Sequence, residues 1–121
     1  MKTHILVAED NYINQKLIEK LFQLKGWDYT MVIDGADVIG KVKSGNFDLI
    51  LMDISMPNMD GFEATQIIRE FNKDIPVIAT TANIIAGFRE RCFACGMNDF
   101  ISKPFRKNEI FEKIEKLISH C

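Results

Sequence analysis

Five short apolar runs alternate with five segments of helical periodicity, and this alternation restricts the fold more than any other feature of the chain. The apolar runs occupy residues 5–8, 29–33, 48–52, 76–80 and 100–102. The helical segments occupy residues 12–25, 36–44, 62–71, 84–95 and 107–119. Short links and right-handed crossovers predict a doubly wound α/β fold, because five units are too few to close a barrel. We expect one domain over residues 1–121, with a single five-stranded parallel sheet flanked by five helices.

The third run indicates where the centre of the sheet lies. It is apolar from Leu49 to Met52, as expected for a parallel strand buried on both faces. A strand order of 2-1-3-4-5 would place the topological switch point between strands 1 and 3. These two strands are followed by carboxylates, Glu9 and Asp10 in one case and Asp53 in the other. This agreement favours the order 2-1-3-4-5.

Two of the helical segments carry more detailed expectations. The spacing of apolar residues in the first predicts a buried stripe of Ile13, Leu17, Leu21 and Leu24, flanked by Ile18 and Phe22. Asn11 is placed to cap that helix, and Gly26 is placed to end it. Ile84, Ile85 and Phe88 lie early in the fourth segment, where they suit either the core or an exposed partner surface.

Charge and cysteine content limit the possible environments and partners. A net charge of −2 and a pI near 5.7 give no electrostatic footprint for nucleic acid or anionic lipid. We expect no direct contact with nucleic acid or membrane. Three cysteines argue against a disulfide framework and favour a reducing, cytoplasmic location. Cys92 and Cys95 form a C-x-x-C without a second pair, so burial in a helix is favoured over a metal or redox site.

Polar side chains follow four of the predicted strands. The carboxyl ends of parallel strands share one edge, so Glu9, Asp10 and Asp53 should meet there with Thr81 and Lys103. Three close carboxylates repel one another, and a hard divalent cation removes that repulsion. Mg²⁺ prefers oxygen ligands and keeps positions for water and phosphate oxygens. The pattern predicts a Mg²⁺ site, with three solvated loop acids as the alternative.

Asp53 is the candidate nucleophile, because a carboxylate held at a strand end can accept a phosphoryl group. Phosphoryl transfer depends on positioning and on neutralising charge at the phosphate oxygens. Mg²⁺ and the Lys103 ammonium would supply the neutralising positive charge, and the Thr81 hydroxyl could donate a hydrogen bond to a phosphate oxygen. Considered alone, Thr81 is typical of a β-strand and Lys103 is typical of a solvated surface lysine, with no chemical role for either. Asp60-Gly61 indicates a turn.

In its motifs the chain resembles the receiver domain of two-component response regulators over essentially its full length. The matching blocks are residues 5–11, 48–53, 56–61, 79–83 and 103–104. The resemblance implies the flavodoxin-like receiver fold and transfer of phosphate from a partner's phosphohistidine to Asp53. Such a domain catalyses only its own phosphorylation and dephosphorylation, and is not a turnover enzyme.

The resemblance also implies roles for individual residues. Mg²⁺ would be surrounded by Asp10, by Asp53, by the backbone carbonyl of Ser55 and by Glu9, which would act through water. Thr81 and Lys103 would contact the phosphate, and the Lys103-Pro104 bond would be cis.

A switch is implied as well. Thr81 would move toward the phosphate and vacate space for Phe100, changing the face formed by helix 4, strand 5 and helix 5. The position of Phe100 is often Tyr in the family. Phe lacks the hydroxyl that would bond to the loop after strand 4.

The segments 9–15 and 96–99 look most like receivers attached to hybrid sensor histidine kinases. Those receivers exchange phosphate with histidine-phosphotransfer domains. The implied partner is therefore a histidine kinase or a histidine-phosphotransfer domain. The chain could be a complete small protein or part of a larger hybrid kinase.

Three other functions stay open. A Mg²⁺-dependent aspartyl-phosphate hydrolase typically needs an acid two residues after the nucleophile, where this chain has Ser55. A flavodoxin-like cofactor carrier needs a phosphate-cradling loop after strand 1, and Glu9-Asp10 is electrostatically unsuited to that. A receiver fold could also act as a phosphorylation-independent docking scaffold.

Overall fold

The computed structural model describes residues 2–118, which form a parallel sheet with helices on both faces. The strands are β1 (His4–Ala8), β2 (Asp28–Val32), β3 (Leu49–Asp53), β4 (Val77–Thr81) and β5 (Asp99–Ser102). Their order in the sheet is β2-β1-β3-β4-β5, and every pairing is parallel. The predicted fold class and strand order are confirmed.

A helix follows each strand. The helices are α1 (Tyr12–Lys25), α2 (Gly35–Ser44), α3 (Gly61–Phe71), α4 (Phe88–Cys95) and α5 (Lys107–Ile118). Asn11 caps α1 as predicted, since its side chain accepts a hydrogen bond from the Asn14 amide at 3.0 Å. Gly26 ends α1 with a φ of 71°. Residue 119, the last of the predicted fifth helix, lies outside the described residues.

Alternation along the strands creates two cores, one on each face of the sheet. On one face, Leu6, Ile50 and Met52 pack against residues of α2, α3 and α4. On the other, Ile5, Val7, Leu49, Leu51 and Ile78 pack against residues of α1 and α5. β3 and β4 are buried along their whole length, so the strands that end in Asp53 and Thr81 are rigidly held.

The predicted stripe of α1 is wrong at both ends. Ile13 is 75% exposed and Leu24 is 66% exposed, whereas Ile18, Leu21 and Phe22 are buried. Apolar residues cover more of this helix than the sheet can bury. The face containing Phe22 is selected because its ring makes edge contacts with the aromatic rings around β2, including Trp27 at 5.5 Å.

The predicted start of the fourth helix is also wrong, because α4 begins at Phe88 rather than at residue 84. The Thr81 hydroxyl donates to the Asn83 carbonyl at 3.0 Å and accepts from the Asn83 amide at 3.2 Å. These local bonds compete with a helical turn. Gly87 then adopts a φ of 82°, which helical backbone excludes. Residues 82–87 therefore form a loop that leaves Ile84 and Ile85 exposed.

At the edge of the sheet where β4 and β5 begin, Arg69 joins the ends of α3 and α4. Its guanidinium donates to the carbonyls of Gly96 (2.9 Å) and Asn72 (3.1 Å) and to the side chain of Asn98 (3.1 Å). The Asn98 side chain also accepts from the Val77 amide at 2.8 Å. Gly96 has a φ of 104°, and a Cβ there would lie 2.7 Å from Arg69 Cγ. A glycine is required for both reasons.

Candidate functional site

The opposite edge of the sheet gathers the predicted acidic residues. Asp53 is the last residue of β3 and is 3% exposed, while Glu9 follows β1 and is 1% exposed. Asp10 is exposed. One carboxylate oxygen from each of these three residues lies within 4.8 Å of the other two. The parallel pairing of β1 with β3, which sets Ala8 beside Met52, produces this convergence.

The Asp53 carboxylate is held from both sides. Oδ1 accepts a hydrogen bond from the Ser55 amide at 3.0 Å, and Oδ2 accepts one from Lys103 Nζ at 3.0 Å. The loop after β3 turns back closely, because a Cβ on Gly61 would lie 2.7 Å from the Asp53 carbonyl oxygen. Asp60 caps α3 by accepting from the Glu63 amide at 2.9 Å. Asp60-Gly61 thus forms the start of a helix, which orients the loop that follows Asp53.

Glu9 has the less complete hydrogen bonding of the two buried acids. Its Oε2 accepts from the Asn11 amide at 3.1 Å. Its Oε1 lies 2.9 Å from Lys103 Nζ, a close charge contact, yet has no aligned hydrogen-bond partner within residues 2–118. A buried oxygen without a hydrogen bond is costly. It leaves a strong acceptor directed into the site.

The site carries more negative than positive charge. Burial raises the pKa of Glu9 above its ordinary value, the Asp53 carboxylate raises it further, and Lys103 only partly offsets them. Burial by itself lowers the pKa of Lys103, but its close contacts with the Glu9 and Asp53 carboxylates outweigh that effect and raise it. Three carboxylates and one ammonium leave two net negative charges. A divalent cation matches this deficit.

The remaining predicted residues surround this acidic cluster. Thr81 ends β4, is 7% exposed, and has its hydroxyl directed to Asn83 rather than to Asp53. The Lys103-Pro104 peptide is cis, as the resemblance implied. Ser55 is exposed, and its amide contacts Asp53. Its carbonyl as a metal ligand stays a prediction.

Phe100 lies on β5, behind the site. Its ring is partly buried and packs edge-on against Phe88, with centroids 5.4 Å apart. Lys113 Nζ lies 5.3 Å from the Phe100 ring centre and donates to the Phe100 carbonyl at 2.6 Å. Phe88 itself packs against Phe62 at 5.9 Å. The ring therefore connects β5 to α4, α3 and α5.

Sequence reasoning missed two supporting residues. Gln15 Nε2 donates to the Glu9 carbonyl at 2.6 Å and so fixes the turn that carries Glu9 and Asp10. It lies one turn into α1 from Asn11, a spacing that could have suggested contact with the preceding loop. Lys113 gave no such signal, because a lysine on the polar side of a terminal helix is ordinarily solvated.

None of the helices within residues 2–118 is long and apolar enough to cross a membrane.

Comparison with known proteins identifies this arrangement. The sequence model of the response regulator receiver domain family matches residues 5–115. The chain is 41% identical over 120 residues to hybrid signal transduction histidine kinase L of Dictyostelium discoideum. The match covers 93% of this chain and 7% of that kinase. This chain therefore corresponds to a small part of that relative.

Comparison with solved structures leads to the same family. The receiver domain of sensor histidine kinase PA1611 from Pseudomonas aeruginosa, described with a magnesium ion coordinated in its active-site cleft, superposes with a TM-score of 0.91 at 37% identity. That match covers 98% of this chain and 99% of the other. The Saccharomyces cerevisiae receiver domain of Ssk1, solved with the phosphotransfer protein Ypd1, gives a TM-score of 0.90 at 26% identity, covering 98% and 90%. The chain belongs to the response regulator receiver domain family of two-component signalling proteins.

Proposed function

We propose that Asp53 accepts a phosphoryl group from a phosphohistidine, and that the whole chain, residues 1–121, acts as this phosphoacceptor unit. The observation that carries the proposal is the contact of Lys103 Nζ with both buried carboxylates, Asp53 at 3.0 Å and Glu9 at 2.9 Å. A lysine held there by two acids is positioned to neutralise a phosphate joined to one of them.

The acidic cluster fits Mg²⁺. Its oxygens lie within 4.8 Å of one another, its net charge is negative, and Glu9 Oε1 lacks a hydrogen bond within the described residues. The residues that would hold the ion are Asp10, Asp53, the Ser55 carbonyl and Glu9, the last through water. When bound, Mg²⁺ neutralises charge on the carboxylates and on the phosphate oxygens. In the PA1611 receiver the cleft does contain magnesium.

In the proposed reaction, a carboxylate oxygen of Asp53 attacks phosphorus while the bond from phosphorus to the imidazole nitrogen breaks. The electron pair of that bond stays on the nitrogen, and the ring leaves as neutral imidazole with its proton on the other nitrogen. The product is an acyl phosphate. Lys103 then has a phosphate oxygen to contact in place of the carboxylate, and the Ser55 amide orients Asp53 throughout.

The switch begins at Thr81. To reach the phosphate, its hydroxyl must leave the Asn83 carbonyl, which changes the loop at 82–87. Phe100 lies on the adjacent strand β5, paired with Ala79 two residues before Thr81, and its contacts with Phe88 and Lys113 extend to α4 and α5. The phosphate adds roughly 1.5 to 2 negative charges at one point, enough to shift the equilibrium between the two positions of Thr81 and of the loop at 82–87. The face formed by α4, β5 and α5 would report the change.

The phosphodonor is a histidine kinase or a histidine-phosphotransfer domain, and the chain would be part of a larger hybrid kinase. The likeness to the Dictyostelium hybrid kinase and to the receiver solved with Ypd1 supports this assignment. Tyr12 and Ile13 begin α1 beside the acidic cluster and are 68% and 75% exposed. They supply an apolar docking surface for the donor. The free, buried thiols of Cys92 and Cys95 suit a reducing compartment, which favours a cytoplasmic location.

The domain would catalyse only its own phosphorylation and dephosphorylation. A docking scaffold that is never phosphorylated would have no need to bury Lys103 between two carboxylates, an arrangement that costs desolvation. A hydrolase acting on other phosphates would need an acid two residues beyond Asp53, and Ser55 occupies that position.

The test is to incubate the chain with Mg²⁺ and a small acyl phosphate and to measure its mass. We expect a stoichiometric, hydroxylamine-labile adduct of one phosphoryl group that is absent from Asp53→Asn. The same adduct in Asp53→Asn would contradict the assignment of the nucleophile. No adduct in the parent chain would favour the docking scaffold, and rapid catalytic release of phosphate would favour the hydrolase.

A further inference from the structure

A cavity of about 460 Å³ lies beside the acidic cluster, and Ser55 and Thr81 of the proposed phosphorylation site form part of its lining. It opens between the loop after β3 and the loop at 82–87. Its apolar walls come from Ile54, Phe62, Ile85, Ala86 and Phe88. Its volume lies within the range of about 300–1,000 Å³ that is usual for small-molecule sites.

One end of this cavity carries an uncompensated positive charge. Arg91 lines it, and the guanidinium carbon lies 4.0 Å from the centre of the Phe62 ring. Across residues 2–118, no carboxylate lies within ion-pair distance of Arg91. Stacking on the ring holds the planar guanidinium in place and leaves its N–H groups available.

The start of α4 adds to the positive end. Gly87 and Phe88 both line the cavity, and no side chain caps this helix. The helix dipole favours negative charge at that point, and Glu90, the acidic residue of the first turn, does not line the cavity. Apolar walls, an unpaired guanidinium and an uncapped helix start converge on one space. Together they suit a ligand with an aromatic or branched apolar body and a single carboxylate.

We propose that this cavity binds a small apolar carboxylate and that its occupant opposes phosphorylation. The carboxylate contacts Arg91, and the apolar body lies against Phe62, Ile85 and Phe88. Thr81 and Asn83 also line the cavity and hydrogen-bond to each other, so an occupant holds the loop at 82–87 in its present form. The opposing effect rests on the proposed function, because it requires Thr81 to leave Asn83 when Asp53 is phosphorylated.

The binding test uses benzoate as the probe and benzamide as its neutral counterpart. Amide chemical shifts of the ¹⁵N-labelled chain are followed during titration, without phosphodonor. We expect saturable shifts at Ala82, Asn83 and Gly87 with benzoate, and binding about tenfold weaker for benzamide because the charge-assisted hydrogen bond is lost. Arg91→Gln should weaken benzoate binding by a similar factor. Equal binding of the two probes, or no saturable shift, would overturn the site.

Arg89→Gln is the matched control. It removes the same charge from the same helix, but Arg89 stacks on Phe93 at 5.2 Å and does not line the cavity. Benzoate affinity should be unchanged in this variant. If Arg89→Gln weakens binding as much as Arg91→Gln does, the effect is general electrostatics and the site is refuted.

The regulatory part is tested by the rate of adduct formation with a small acyl phosphate and Mg²⁺. Saturating benzoate should slow the parent chain severalfold and leave Arg91→Gln unaffected. An unchanged rate in the parent would overturn the opposing effect. A parent chain that never forms an adduct would refute the proposed function, while the shifts measured without phosphodonor would still decide the binding site.

Discussion

Arg69 and Lys103 are partly buried cations at opposite edges of the sheet, and the two are stabilised in opposite ways. Arg69, at the edge where β4 and β5 begin, donates to three neutral oxygens. Lys103, at the edge where the strands end, contacts two buried carboxylates beside a third exposed one. Burial lowers the pKa of Arg69, whereas the acids raise the pKa of Lys103.

This difference distinguishes a structural cluster around Arg69 from a candidate functional cluster around Lys103. The Arg69 cluster satisfies its hydrogen bonds with groups of this chain and needs no further ligand. The Lys103 cluster holds excess negative charge and a buried Glu9 oxygen without a hydrogen bond among the described residues. Negative charge that the fold leaves uncompensated can bind a cation, and that cation together with Lys103 would stabilise a transferred phosphate. The comparison predicts that Arg69 governs stability and that Lys103 governs phosphorylation.

The largest effect is expected at Lys103. Lys103→Met should slow adduct formation about 10²–10³-fold, because it removes a preorganised cation from the phosphate site. The rate of adduct formation is measured by stopping the reaction of the chain with a small acyl phosphate at successive times and determining the phosphorylated fraction by mass. Circular dichroism should show a retained fold.

Lys107→Met is the control, since Lys107 is exposed at the start of α5 and should have no effect. A parent-like rate in Lys103→Met would remove the distinction between the two edges.

Arg69→Met comes next. Loss of its hydrogen bonds, which leaves the Gly96 and Asn72 carbonyls and the Asn98 side chain without that donor, should reduce the free energy of unfolding by about 2 kcal/mol. Urea denaturation measures this change. The phosphorylation rate of the folded protein should stay unchanged.

Arg89→Met, an exposed position on α4, should be close to neutral in stability. If Arg69→Met instead slows phosphorylation without loss of stability, the assignment of a structural role is wrong.

Addition of Mg²⁺ should stabilise the chain by about 1.4 kcal/mol when its concentration is tenfold above the dissociation constant, since only the folded state brings the three acids together. Thermal unfolding with and without Mg²⁺ measures the shift. Asp10→Asn should lose most of it, while an equal ionic strength of KCl should not reproduce it. Full stabilisation of Asp10→Asn would place the ion elsewhere.

The smallest effect concerns pH. The pKa of Glu9 is raised in the fold from its ordinary value of 4.5, so the folded state binds this proton more tightly than the unfolded chain does. The stability linked to it is present below 4.5 and is lost as pH rises through the raised pKa. Without Mg²⁺, the free energy of unfolding of Glu9→Gln should therefore fall less than that of the parent chain between pH 4.5 and neutrality. Urea midpoints across the range provide the measurement, and parallel curves would contradict it.

Much of the site could be predicted because it depends on strand ends. In a parallel sheet all such ends share an edge, so locating the apolar runs also located Asp53, Thr81 and the loop that bears Glu9 and Asp10. The spacing of residues could not give the hydrogen bond from Thr81 to Asn83. That bond depends on how loop 82–87 competes with a helical turn, and it moved the start of α4 to Phe88.

The sequence alone determined the alternation of strands and helices, the strand ends and the residue types placed there, because periodicity and local capping are properties of neighbouring residues. Tertiary structure decided which face of α1 is buried, that Lys103 contacts both Glu9 and Asp53, and that Arg91 stacks on Phe62 without a carboxylate partner within the described chain. These outcomes depend on distances between residues far apart in the chain, and only packing of the helices on the sheet sets those distances.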